Sequence, residues 1–347
     1  MGHEVSWSTN KKLKKVSDIY MIKVAVLSRW HVHADDYARD IKENDNLSIE
    51  LVWDEEVERG EQWAKELNVP FEQDLQAVLS NPNIDAVVVN TPTSMHKEVI
   101  IAAAKHKKHI FTEKVLAFTV KDSEEIYAAV YDSGVELMVS LPRLTDNNFL
   151  YAEKSINEGW VGKVTMVRCR FAHSGGVAPE GQANGWLPAR FYDKEQAGGG
   201  ALIDLGAHPI YLTNRLAGKA VGVYARLHKE SSTTVDDNSA LLVDYESGAL
   251  GIIETSFVSN GSPFQLEVYG TEGTLLISDD KIRINSAKVK SEELTEILPA
   301  LPMPMVQWVN AINTGATPTI TKEDVINLTL INEAAVKSHN EGRRIEL

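Results

Sequence analysis

Asp204 and His208 stand four residues apart in the stretch from Gly198 to Gly218, just behind the triplet Gly198, Gly199 and Gly200. Read as a helix, this stretch puts carboxylate and imidazole on one face. An imidazole changes charge near neutral pH and is suited to moving a proton. A carboxylate one turn away can orient the ring or grip a neighbouring hydroxyl. Gly206 would lie inside the same helix, where glycine costs about 1 kcal/mol against alanine. Its presence predicts that another group approaches closely there. Acid, imidazole and interior glycine together point to a site of proton transfer.

Other residue types suggest chemistry more weakly. His31 and His33 form an H-x-H pair. Such a pair can ligate a metal, but the sequence offers no apparent third ligand. Capping or packing is the expected role, and no metal is assigned. The loop from Ser174 to Arg190 is rich in Gly and Pro and carries Trp186 and Arg190, with His173 just before it. It leads towards the Asp204 segment. An aromatic there suits a sugar-like polyol, which stacks one face and hydrogen-bonds through its hydroxyls. Cys169 is the single cysteine. It excludes an internal disulfide and a cysteine-based zinc site. It reads as a small residue on a buried strand and fits a reducing cytoplasm.

Positioning these groups requires elements from two regions. From Ile22 onward, short apolar runs alternate with helical patterns. The strands are expected near 22–28, 49–54, 84–90, 109–114 and 135–141. Helices are expected over 35–43, 56–67, 95–105 and 120–132, with a short one after Asp74. Apolar strands alternating with helices make a doubly wound parallel sheet, an α/β domain over 21–143. Ligands of such sheets bind at the carboxyl ends of the strands. Asp54 ends the second strand, where a carboxylate can bond both ribose hydroxyls of NAD and repel a 2′-phosphate; Arg29 and Arg59 leave NADP open. Thr91 and Pro92 turn out of the third strand, and His96 falls in the first turn of the next helix. The first strand ends in Ser28, Arg29, Trp30 and His31, with no glycine before Tyr37. Glycines there usually let backbone approach a pyrophosphate. Here free amides at the helix start would have to serve, with Trp30 and His31 lining the pocket.

After Arg143 consecutive strands replace the alternation. They are expected near 163–173, 221–228, 239–245, 249–256, 265–269 and 273–277. Helices are expected near 146–158, 303–313 and 322–339. This is an α+β domain, 144–347, with a large, mostly antiparallel open sheet. Its exposed face suits a homodimer or homotetramer contact.

The bulk numbers agree with two soluble domains. The chain has 347 residues, 43% hydrophobic and 24% charged, with a formal net charge of -14. That charge argues against nucleic acid or an anionic membrane as partner. No apolar run is long enough to predict a transmembrane helix. Residues 1–20 are polar, lack the apolar core of a signal peptide and read as a tail.

Three motifs in this order resemble the Gfo/Idh/MocA family of nicotinamide-dependent oxidoreductases. They are T-P-T-x-x-H from Thr91 to His96, E-K-V from Glu113 to Val115, and G-G-G-A-L-I-D-L-G-A-H from Gly198 to His208. The resemblance runs from about Met21 to the C-terminus. It implies a Rossmann domain, NAD or NADP as cofactor, and hydride transfer between nicotinamide and a secondary alcohol of a sugar, inositol or related polyol. It implies that Lys114 contacts both cofactor and substrate, and that Asp204 and His208 are the paired acid and histidine at the substrate. It also implies that Asp54 binds ribose, that Thr91, Pro92 and His96 border the nicotinamide ribose, and that Arg143 and Trp186 belong to the substrate side. Ser28, Trp30, His31 and Glu113 complete the expected cofactor pocket. In this scheme His208 is the base, Asp204 orients its ring or grips a neighbouring hydroxyl, and Lys114 is the cation that stabilises negative charge on the reacting oxygen. The sequence departs from the family at the glycine-free loop, at Val115 in place of proline and at Tyr211 in place of an acid. Two alternatives stay open: a non-catalytic ligand sensor on the same fold, and a lyase or hydrolase with transient NAD redox.

Overall fold

The computed structural model describes residues 20–182, 184–230, 234–279, 281–291 and 298–347. Apart from Tyr20, the expected tail lies outside the described residues.

Five apolar strands form the first sheet: β1 (Ile22–Leu27), β2 (Leu47–Trp53), β3 (Ala86–Val89), β4 (His109–Thr112) and β5 (Leu137–Val139). All four residues of β3 are buried, as a strand covered on both faces requires. Every pairing is parallel, in the order β2-β1-β3-β4-β5. The expected doubly wound sheet is therefore present. Its helices are α1 (Ala34–Lys42), α2 (Val57–Leu67), α3 (Leu75–Ser80), α4 (Thr93–Lys105) and α5 (Val120–Ser133). Asp74 and Thr119 start α3 and α5 by accepting the amides of Gln76 and Asp122. The direction of winding reverses between β1 and β3. The crevice at their carboxyl ends is the ligand position of such a sheet.

The chain then runs through a 3-10 turn (Pro142–Thr145) into α6 (Asn147–Asn157), β6 (Val164–Ala172), the single-turn α7 (Lys194–Ala197) and α8 (Ala207–Ala217). Strands β7 (Ala220–His228), β8 (Asn238–Tyr245), β9 (Leu250–Ser256), β10 (Gln265–Gly270) and β11 (Gly273–Ser278) follow. The remaining elements are β12 (Lys281–Ser286), β13 (Lys290–Ser291), α9 (Pro304–Thr314), α10 (Lys322–Glu341) and β14 (Ile345–Glu346). Nine strands make one sheet, β13-β12-β11-β10-β6-β9-β8-β7-β14, antiparallel except for the β6–β9 pair. The sequence reading lacked β12, β13 and β14. The last two are only two residues long, and β12 alternates buried Ile282 and Ile284 with exposed charged or polar residues.

Helices α8 and α10 pack on one face of this sheet. Helix α9 returns to the first sheet, where Trp308 meets Phe111 at 5.7 Å between ring centroids. A smaller apolar cluster joins the two sheets. Trp30 from the loop after β1 packs there with Leu187, Phe191, Ala197, Leu205 and Phe257. Among the described residues, no helix is long and apolar enough to cross a membrane.

The Gly198–Gly218 stretch differs from its sequence reading. Helix α8 starts only at Ala207, and Gly206 is its N-cap at φ -66°. Asp204 lies in the preceding turns, so Asp204 and His208 do not share a helical face. The turns are held from outside the segment. The Asp236 carboxylate accepts the amides of Gly200 at 3.1 Å and Leu202 at 2.8 Å. A Cβ on Gly200 would stand 1.8 Å from the Asp236 carbonyl oxygen. At Gly206 the close neighbour is the Leu202 carbonyl, 2.4 Å from an added Cβ. The glycines thus serve chain packing rather than a ligand.

Candidate active site

Lys114 follows β4 by two residues, at the carboxyl edge of the first sheet. Its ammonium donates to Asp204 Oδ1 at 2.5 Å and to the Asp204 carbonyl at 2.9 Å. The lysine side chain is 4% exposed and the aspartate 18%. The ion pair therefore links the turn after β4 to the turns before α8, beside the cavity that both residues line. Asp204, expected to orient His208, holds the lysine instead. The Lys114–Val115 peptide bond is cis.

His208 takes its orientation from another residue. Its Nδ1 lies 2.7 Å from the Tyr211 hydroxyl, one turn along α8. That hydroxyl also accepts the Arg143 amide at 3.3 Å. Tyr211 thus replaces an acid in the sequence and fixes the ring by a neutral bond. Burial, reinforced by the positive charges of Lys114 and Arg143, pushes the His208 imidazole well below its ordinary pKa. His208 is consequently neutral at neutral pH.

A cavity of about 430 Å³ brings the expected substrate residues together. Lys114, Arg143, Trp186, Asp204 and His208 all line it, along with Phe171. The Arg143 guanidinium lies 4.1 Å over the Phe171 ring, and Phe171 meets His208 edge-on at 5.3 Å. Trp186, 63% exposed, leans on His173 at 4.7 Å. The rim thus offers an aromatic surface opposite charged groups, which suits a ring with an apolar face and hydroxyl edges.

The nucleotide side is more mixed. Asn90 and Thr91 end β3 fully buried, and both Asn90 amide atoms and Thr91 Oγ1 lack a partner among the described residues. Buried polar groups normally find one, so the end of β3 fits a polar ligand. The other expected contacts are occupied within the chain. The buried Asp54 carboxylate accepts the Arg29 and Glu56 amides, each at 2.8 Å, and the Arg59 guanidinium at 2.6 Å. Ser28 Oγ accepts the Trp30 amide. His96 is buried and directs Nδ1 at the Val115 carbonyl and Nε2 at that of Thr91. It braces the turns that carry Thr91 and Lys114; burial lowers its pKa. Pro92 caps α4.

Trp30 is 4% exposed and occupies the space between the domains. Its indole donates to Gln196 Oε1 at 2.7 Å, its ring stacks on Phe191 at 5.3 Å, and its carbonyl accepts Arg190 Nε. The cavity beside it, lined by His31, Lys114, Phe191 and Asp204, holds about 20 Å³. That is room for about one water molecule, not for a nicotinamide ring. The donors at β3 fit a dinucleotide; in this conformation the Trp30 loop covers the groove.

His31, His33 and Glu113 meet behind this loop. The Glu113 carboxylate, 2% exposed, accepts the Tyr37 hydroxyl and the Lys114 amide. Tyr37 also reaches Ser140 Oγ at 2.9 Å. Burial pulls the His31 imidazole down to about 4 despite the Glu113 charge. Glu113 is lowered to about 2; the His31, His33 and Lys114 charges together with the Tyr37 bond outweigh its burial. Tyr37, Asn90 and Phe171 went unremarked in the sequence, and Tyr211 was noted only as a departure. Asn90 stood at the end of a recognisable strand and was open to detection. Tyr37 and Phe171 act through contacts across the fold, whereas Tyr211 meets His208 within one turn of α8.

Comparison with known proteins identifies the family of the chain. Residues 23–141 match the oxidoreductase family with an NAD-binding Rossmann fold, and residues 149–276 match the GFO/IDH/MocA C-terminal domain. The chain is 30% identical over 307 residues to scyllo-inositol 2-dehydrogenase (NAD(+)) of Bacillus subtilis, covering 83% of this chain and 85% of that protein. It is 24% identical over 333 residues to myo-inositol 2-dehydrogenase of Thermotoga maritima, covering 90% and 94%. Among solved structures, a levoglucosan dehydrogenase with NADH and levoglucosan superposes with a TM-score of 0.80 at 21% identity, covering 94% of this chain and 99% of that one. Two matched domains and one relative at this identity and coverage suffice: the chain belongs to the GFO/IDH/MocA family of NAD-binding oxidoreductases.

Proposed function

We propose that this chain transfers a hydride between a nicotinamide cofactor and a secondary alcohol of a sugar, inositol or related cyclic polyol. One observation carries the reading: Lys114 from the first sheet and Asp204 and His208 from the second domain line a single 430 Å³ cavity with Trp186 at its rim. Lys114, held by Asp204, hydrogen-bonds the reacting oxygen and stabilises negative charge as it develops. His208, kept neutral by burial and held by Tyr211, receives the hydroxyl proton. Arg143 and Trp186 hold the remaining hydroxyls and one ring face. Bound NAD(P) supplies the hydride acceptor. Asn90, Thr91 and Lys114 would hold it, and the Trp30 loop would have to move to admit it. Incubating the protein with NAD or NADP and a panel of inositols and aldoses, and following reduced nicotinamide by absorbance, tests the reading.

The buried Trp30 favours one rival, a ligand sensor that retains the fold without turning over. Calorimetric titration separates the two: no binding of NAD or NADP up to millimolar concentration supports the sensor.

A cytoplasmic homodimer or homotetramer completes the proposal. The face of the second sheet away from α8 and α10 carries a cross-strand row of Tyr224, Leu242 and Ile252. Tyr224 and Leu242 are each 46% exposed. Such a row is a natural contact between copies.

A further inference from the structure

Among the described residues, no lysine or arginine donates a hydrogen bond to the buried Glu113 carboxylate. The carboxylate is 2% exposed, and the nearby ammonium, Lys114 Nζ, is bonded to Asp204. Its neighbours are the Tyr37 hydroxyl, the Lys114 amide and two histidines. Buried charges are normally paired or bound to metal.

The histidines are arranged accordingly. His31 Nδ1 lies 3.6 Å from Glu113 Oε1. This is too long for a hydrogen bond and close to the edge of about 3.4 Å between two ligands of a tetrahedral zinc ion. The same Nδ1 accepts the His33 amide at 3.3 Å, so it is unprotonated, and an ion would take its lone pair by displacing this long bond. His33 Nδ1 pairs with Asp36 Oδ2 at 3.0 Å, leaving Nε2 to ligate. A carboxylate on the far nitrogen is the usual support of a metal-bound histidine. One ligand atom from each of His31, His33 and Glu113 lies within 4.8 Å of the others. Closing a 4.8 Å separation to the tetrahedral edge requires a shift of up to about 1.4 Å, which the His33 side chain, 48% exposed, would make together with Asp36.

We infer that His31, His33 and Glu113 form a binding site for one divalent transition-metal ion, of the zinc or cobalt class, at the edge of the active-site cleft. Two imidazoles and one carboxylate leave further coordination positions. The neighbouring cavity of about 300 Å³ is lined by His33, Glu113, Lys114, Ser140 and His208. A hydroxyl or carboxylate oxygen of a small molecule in that cavity is the fourth ligand the site would take.

Chelator-treated, dialysed protein titrated with zinc chloride in a calorimeter, and with cobalt chloride by visible absorption, tests the site without substrate or NAD. The expected result is saturable binding of one equivalent per chain, weakened at least tenfold in both His33→Ala and Glu113→Gln. Asp36→Asn, which removes only the support of His33, weakens binding less. His33→Ala alters a half-exposed residue, so its circular dichroism and melting should match those of the parent. Absence of a one-equivalent site in the parent, or zinc affinity in His33→Ala and Glu113→Gln equal to that of the parent, overturns the inference.

Discussion

Burial sets the charge of His208 before any substrate arrives. The positive charges of Lys114 and Arg143 both oppose its protonation. A base of this kind is ready at neutral pH and fails only in acid. We expect log kcat/KM for alcohol oxidation to be flat through neutral pH, with any acid limb assigned to His208 lying below pH 6.5. Tyr211→Phe should lower kcat by about tenfold or more and move that limb, because it removes the bond that fixes the ring and leaves the Arg143 amide without an acceptor. An unchanged profile in Tyr211→Phe would refute the positioning role. The sequence showed Asp204 and His208 by their types and spacing, and Lys114 only through the motif that resembles the family. It misassigned the pairing, since whether Asp204 faces His208 or Lys114 depends on how two domains close. Tyr211 was visible as a residue, but its partners come from α8 and from the turn after β5.

The loop between β1 and α1 shows what local pattern can and cannot reveal. Its lack of glycine was plain, and so was the presence of Trp30 and His31. Their destination was not, because Gln196, Phe191 and Arg190 lie more than 150 residues away in sequence. Dinucleotide binding by a swing of this loop would move Trp30 out of its apolar cluster. Oxidised NAD, itself non-fluorescent, should therefore change the tryptophan emission of the parent protein. Trp30→Phe should bind NAD while losing most of that change. A full change in Trp30→Phe would place the moving tryptophan elsewhere. The start of α8 was misread for a similar reason. Gly198 to Gly206 looks helical by its apolar spacing, but Asp236 captures its amides and holds it in turns. The long strands and helices were legible within a few residues because burial repeats along them.

At the scale of the whole molecule, buried histidines couple stability to pH. His31 has a folded pKa of about 4, below its ordinary 6.5. The unfolded chain therefore takes up the proton first as pH falls. This contribution is complete above pH 6.5 and is lost between pH 6.5 and about 4, on the order of a few kcal/mol. Glu113, lowered from 4.5 to about 2, adds a second loss below pH 4.5. The melting temperature should fall steadily from pH 7 to pH 4, and a flat curve over that range would contradict this burial. The open face of the nine-stranded sheet makes a separate prediction. Light scattering should give at least a dimer, and Leu242→Glu should shift it towards monomer without loss of secondary structure. The alternating strands displayed that face in the sequence; the two-residue edge strands were too short to see.

The cleft between the domains carries the central claim, that Lys114 and His208 act on one alcohol in a shared cavity. The direct measurement is the rate of NAD or NADP reduction across a panel of inositols and aldoses, run on the parent, Lys114→Ala and His208→Ala. The account predicts turnover of at least one cyclic polyol by the parent. It predicts a loss of about 10²- to 10⁴-fold in kcat/KM in each variant, with folding intact. Full activity in both variants, or no turnover of any polyol by a parent that binds the cofactor, would contradict it.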